Sequence, residues 1–162
     1  MYDRKYEVFN DFRKMALVTA GNLRDYNTMT IGWGGLGTIW GKPVCTVYVR
    51  KSRYTLEYLD KNDYFTVSFF DADREALIYL GSHSGRDGDK VKAAGITPTM
   101  VEHGVTFREA SGTLICKKLY KQLMDIDAIP QDIRDRYYSG EDEDNMHYMF
   151  IGEVVKAEEG KA

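Results

Sequence analysis

The stretch TMTIGWGGLGTIWGKPVCTVYV, residues 28–49, decides the fold. Gly32, Gly34 and Gly37 satisfy the G-x-G-x-x-G spacing of a dinucleotide-binding turn, and Glu57 falls near the place of that pattern's ribose-binding acid. The pattern works only where a strand leads into the glycines and a helix leaves them, because the pyrophosphate rests on the helix N-terminus. Here the glycines run into TIWGKPVCTVYV, a turn followed by a β-branched strand. Glu57 sits inside the helical pattern YTLEYLDK, not at the tip of a second parallel strand. The glycines therefore read as part of a strongly bent barrel strand, where missing side chains permit a bulge or the close approach of a ligand.

Outward from this stretch the same economy of short strands holds. KMALVTAG and YNTMTIGW are two strands around the turn GNLRD, and VCTVYVR is a third after GKP. SRYTLEYLDKND reads as a short helix that Ser52 can cap, and YFTVSFF returns to strand. ADREALIYLGSHSG is helical as far as Gly81. VTFREASGTLICKKLYKQLM supplies two strands, IPQDIRDRYYSG a short helix and HYMFIGEVVKAEE a final strand. The expectation is a mainly β chain with short helices, folded over residues 1–162 as a single domain without repeat or linker.

A net charge of −3 and a pI near 5.6 give no general attraction to nucleic acid or to an anionic membrane, so any anion must be held by a local cluster. No apolar run approaches the roughly 18 residues of a membrane span, and the charged N-terminus lacks a signal-peptide core; the expected address is the cytoplasm. Cys45 and Cys116 form no C-x-x-C motif and no metal-ligand cluster with the three histidines, and read as reduced core thiols. No metal site is expected. The motifs of serine hydrolases, zinc proteases and phosphate-loop nucleotidases are absent.

Two segments concentrate anion-binding chemistry. Arg50, Lys51, Ser52, Arg53, Tyr54 and Thr55 stand at a strand-to-helix junction, where guanidinium groups, hydroxyls and first-turn amides could cradle a phosphate; a solvated basic turn is the plain alternative. Ser84, Gly85, Arg86, Asp87 and Lys90 form a glycine-punctuated loop in which Asp87 and Asp89 could orient the cations. A calcium loop is disfavoured there by its Arg and Lys and by the lack of a closing Glu. Along Asn27–Thr30, alternation sets Thr28 and Thr30 on one face and Met29 on the other, a hydroxyl row suited to the polar edge of a heterocycle. Trp33, Trp40 and Tyr54 could cover an aromatic ring or simply fill core and interface. His147, beside the acidic run GEDEDN, could assist a proton transfer.

Taken together, NTMTIGWGGLG, WGKPVCTVYVRKSRYT, SGRDGDK, LICKKLYKQ and YYSGEDEDNMHYMFIGEVV resemble the flavin reductase-like family, especially its flavoredoxin-type members, over nearly the whole chain. The resemblance implies an FMN-binding split β-barrel, Greek-key-like, that forms a homodimer with the flavin near the interface. It also implies that Asn27, Thr28, Met29 and Thr30 border the flavin ring, with Trp33 and Trp40 near the pocket. The segment from Arg50 to Thr55 would meet the ribityl chain and phosphate, Ser84–Asp87 and Lys90 would close over that end, and His147 would lie on the substrate side. FMN is the implied cofactor, with FAD as an alternative and NAD(P)H as a transient donor. A ferredoxin-like protein donor remains open, as does a barrel that has lost its flavin. Leu80-Gly81 and Val91 stand where many relatives carry Cys-Gly and an aromatic residue, so a reactive thiol is missing there.

Overall fold

A computed structural model describes residues 5–7 and 9–160. Three antiparallel hairpins build most of it: β1 (Ala16–Asn22) with β2 (Asp25–Ile31), β3 (Gly34–Ile39) with β4 (Lys42–Arg50), and β8 (Gly112–Leu123) with β9 (His147–Glu159). β5 (Tyr64–Phe69) joins them into one seven-stranded sheet in the order β2-β1-β5-β8-β9-β4-β3. β2 and β3 stay unpaired on their outer sides, so the barrel is split rather than closed. A small hairpin of β6 (Pro98–Val101) and β7 (Gly104–Phe107) lies apart from that sheet. Among the described residues, four short α-helices punctuate the strands: α1 (Thr55–Lys61), α2 (Arg74–Ser82), α3 (Lys90–Ala94) and α4 (Gln131–Tyr137). No helix among the described residues is long and apolar enough to cross a membrane.

Strand alternation explains the two cores. On β1, Ala16, Val18 and Ala20 face the barrel interior with Val47, Phe65, Val67, Phe69 and Phe150, whereas Leu17 points the other way, into a second cluster with Leu77, Leu80 and Val91. Each of the buried Val, Leu and Phe side chains contributes roughly 1.5–3 kcal/mol, and each alanine methyl less. Burial on both faces is why β1 reads as a nearly unbroken apolar run. The second cluster fixes α2 and α3 against the sheet, and with them the loop that connects the two helices.

Several local expectations need correction. Trp40 and Gly41 form the two-residue tip of the β3–β4 hairpin at φ 55° and 69°, the twist that suits a tight hairpin. Gly34 leaves room for a core side chain and not for a ligand: a Cβ there would lie 2.5 Å from the Phe12 ring. Ser52 does not cap α1, since its hydroxyl accepts from Asn145 Nδ2 at 3.0 Å. β6 and α3 lack a sequence pattern strong enough to announce them. Cys45 and Cys116 are fully buried and adjacent, and burial pushes the Cys116 thiol well up, so neither serves as an exposed nucleophile.

Candidate functional site

Two cavities meet at the open side of the barrel. The first, about 300 Å³, lies between the β4–α1 turn and the loop from α2 to α3. The second, about 190 Å³, lies between β2, the end of β4 and the start of β9. Met29, Thr30 and Arg53 border both, so the two form one trough with Arg53 at its waist. The Arg53 guanidinium makes no hydrogen bond or ion pair among the described residues. An unspent planar fork of donors at that place suits an anion.

The first cavity is the anion end. Lys90 is buried at the start of α3, and its Nζ donates to the carbonyls of Leu80 (3.2 Å) and His83 (3.0 Å). An ammonium has three N–H donors, so one remains for a ligand. Burial, and then the nearby Arg53 charge, lower the Lys90 pKa to about 8. Ser84, Gly85, Arg86, Tyr54 and Thr55 complete the walls, together with the carboxylate-bearing Asp87. Asn27 ties the two sides: its Nδ2 donates to Thr55 Oγ1 at 2.7 Å, while its Oδ1 sits where a Cβ on Gly85 would come within 2.1 Å. Arg86 is held from outside by Glu57 at 3.0 Å and lies 4.6 Å over the Tyr54 ring. Its partner is therefore Glu57, not Asp87, and Asp89 caps α3 by accepting from Lys92 N. The first-turn amides of Leu56 and Glu57 are bonded to the Arg53 and Tyr54 carbonyls, so these two are already spent within the turn.

The second cavity is the aromatic end. His147 opens β9 opposite Arg50 on β4 and is buried. The ring centroid of Trp33 is 5.2 Å from that of His147, and Trp33 meets Tyr137 edge-on at 5.1 Å. Burial first, then the Arg50 and Arg53 charges, push the His147 pKa down to about 4 against a small opposing effect of Asp142, so the imidazole is neutral at neutral pH. Tyr138 Oη lies 2.6 Å from His147 Nδ1.

The acidic run acquires a clear role. Arg50 donates to the carbonyls of Asn145 (2.9 Å) and Tyr137 (3.1 Å), and Lys51 pairs with Asp144 at 3.1 Å. Ser52 is clasped by Asn145 through backbone and side chain. The segment preceding β9 thus latches onto residues 50–52, which leaves Arg53 as the unspent cation of the basic turn.

Of the site residues expected from sequence, the trough gathers Asn27, Met29, Thr30, Trp33, Arg50, Ser52–Thr55, Ser84–Asp87, Lys90 and His147. Thr28 is not among them: its hydroxyl is buried against Thr19 Oγ1 (2.8 Å) and the Val18 carbonyl (3.1 Å). Thr30 donates its hydroxyl to the Leu77 carbonyl of α2, yet the residue borders both cavities beside Met29. Lys51 borders none of these cavities, Arg50 serves the aromatic end, and Trp40 is exposed beside Tyr120 at the hairpin tip. Sequence reasoning missed Tyr48, Gly81, His83 and Tyr138; only the doubled tyrosine ahead of the acidic run hinted at the last. A larger cavity, about 660 Å³, lies elsewhere, lined by β6, β7 and the end of β9, and sets Glu158 and Glu159 against Arg108, the one cation among the described residues that line it. That charge balance disfavours a phosphate.

The chain matches the flavin reductase like domain over residues 13–162. Its fold is similar to that of flavoredoxin from Methanosarcina acetivorans, at TM-score 0.71 and 21% identity over 98% of this chain and 76% of that one. Flavoredoxin of Desulfovibrio vulgaris gives 0.68 and 22% over 91% and 69%. The NADH:FAD oxidoreductase of Streptomyces globisporus gives 0.64 and 20% over 90% and 74%. No curated protein matches the chain.

Proposed function

Because the chain belongs to the flavin reductase-like family, we propose that it is an FMN-binding oxidoreductase passing electrons from NAD(P)H through bound flavin to a flavin or other acceptor. The observation that carries this reading is the trough itself, an anion end and an aromatic end joined at Arg53. Arg53, Lys90 and Ser84 supply donors for a phosphate, and Met29, Thr30, Trp33 and His147 supply the walls for a flat ring. When bound, FMN accepts a hydride and releases electrons singly or in pairs; the chain's part is to hold it, shield one face and stabilise charge. FAD is the alternative flavin. A second copy of the chain would complete the site, a reading supported by the free edge of β3, where Leu36, Ile39, Trp33 and Trp40 are exposed.

The test is the visible spectrum of purified protein before and after anaerobic NADH and then NADPH. Flavin bands that bleach with either nucleotide support the reductase and name its donor. Bands that persist but bleach with a reduced ferredoxin-like protein favour an electron-transfer role, in keeping with the flavoredoxin likeness. A chain that stays colourless with added FMN overturns both. Arg53→Ala weakens FMN binding about tenfold, the loss of one charge-assisted hydrogen bond, with thermal stability unchanged; unaltered affinity would remove Arg53 from the site.

A further inference from the structure

Tyr138 has no place in the reading so far, yet it occupies the point that decides what His147 can do. It follows α4, its backbone N–H closing that helix on the Arg134 carbonyl at 2.9 Å, and its ring is covered by the Arg50 guanidinium at 5.1 Å. Its hydroxyl is buried, and His147 Nδ1, 2.6 Å away, is the one hydrogen-bond partner it has among the described residues.

That single contact has a direction. A neutral imidazole carries one N–H, and a phenol has one proton to place. If Nδ1–H donated to Tyr138, the phenol O–H would be left in the interior with no acceptor, which is costly. If Tyr138 donates to Nδ1, both groups are satisfied and the imidazole proton must reside on Nε2. Nε2 has no partner among the described residues and is not sealed off, and the aromatic-end cavity is the one that His147 borders. We propose that Tyr138 is a positioning residue that locks His147 in its Nε2–H tautomer, making His147 a neutral hydrogen-bond donor to a carbonyl-type oxygen of the molecule held at the aromatic end of the trough.

The surroundings reinforce this assignment. Arg50 from β4 and Arg53 from the following turn face the imidazole as fixed cations, Asp142 is the acidic group that opposes them, and Trp33 packs against it. With its pKa pushed down to about 4 the ring carries no charge between pH 5.5 and 8, so it donates without gaining or losing a proton in that range. A general base at this position would need a bare Nε2, which the Tyr138 contact excludes. The inference rests on the flavin reading only for the identity of the oxygen, which belongs either to the flavin ring or to an electron acceptor.

The experiment is long-range ¹H–¹⁵N NMR of histidine-labelled protein, as purified and with FMN added. The expected result is an unprotonated Nδ1 and a protonated Nε2 for His147, unchanged from pH 5.5 to 8. Tyr138→Phe is expected to give a mixture of both tautomers. A wild-type spectrum with the proton on Nδ1 or with mixed tautomers, or a Tyr138→Phe spectrum identical to wild type, overturns the proposal. The same samples locate the oxygen: an FMN dissociation constant raised about tenfold in Tyr138→Phe places it on the flavin, whereas unchanged affinity with kcat/KM for the acceptor lowered about tenfold places it on the acceptor. No change in either overturns the donor role. Wild-type protein that fails to bind FMN overturns the flavin reading while the tautomer is still read from the spectrum.

Discussion

Replacing Gly85 by alanine tests the partition that shapes the anion end. The new Cβ would stand 2.1 Å from Asn27 Oδ1, 3.0 Å from Asn27 Cγ and 3.1 Å from the Tyr54 ring. Ordinary contact begins at 3.4 Å, so something must yield by more than an ångström. Asn27 is a short side chain already anchored, its Nδ2 donating to Thr55 Oγ1 at 2.7 Å in the interior. Swinging it away breaks that bond and leaves a buried hydroxyl without its donor, at a cost of about 1–3 kcal/mol. For a chain of this size that lowers Tm by roughly 2–4 °C per kcal/mol. The other escape is for the Ser84–Asp87 turn to lift off Asn27, which widens the cavity and withdraws Ser84 from the anion. Either way FMN affinity falls on the order of tenfold, about the worth of one good polar contact. Differential scanning fluorimetry and fluorescence titration of FMN read the two effects separately. A Gly85→Ala protein with wild-type Tm and wild-type FMN affinity would refute the account of how loop and sheet are joined.

Two further outcomes follow from the same geometry. Lys90 has a folded pKa near 8, below the ordinary 10.5, so its ammonium is present below about pH 8 and lost as pH rises through that value. FMN affinity measured by equilibrium dialysis therefore declines above pH 8, displaced upward to the extent that bound phosphate favours the ammonium, and Lys90→Gln removes the decline. Stability of the flavin-free protein moves the opposite way, rising as pH climbs from about 8 towards 10.5, because the unfolded chain holds that proton longer. Thr28→Val strands the Thr19 hydroxyl and lowers stability by about 1–3 kcal/mol in urea unfolding, yet leaves FMN affinity unchanged, since Thr28 is turned away from the trough.

Most of the strand pattern was legible because its causes are local. β-branched runs such as VCTVYVR and the two-face burial of ALVTAG mark strands wherever they lie in the chain. The basic turn and the Ser-Gly-Arg-Asp loop were equally visible as clusters of donors. The division of labour within those clusters was not. Whether Arg50, Lys51 or Arg53 is unspent depends on Tyr137, Asp144 and Asn145, some ninety residues away, and no spacing rule reports such a partner. The hydroxyl row divides for a related reason: period-two alternation puts Thr28 and Thr30 on one face, but only the packing tells that Thr28 is sealed against Thr19 and Val18 while Thr30 reaches the trough.

The sequence by itself determined that the chain is mainly β, that its G-x-G-x-x-G is not a dinucleotide fingerprint, and where the anion-binding donors are concentrated. These follow from propensity, periodicity and charge, which act over a few residues. Only the tertiary structure decided that the two basic segments face each other across one trough, that Arg53 is left unpaired while its neighbours are tied, and that Tyr138 stands behind His147. Each of those depends on strands β2, β4 and β9 and the α2–α3 loop being brought together by burial of two cores, a long-range balance that local sequence does not encode.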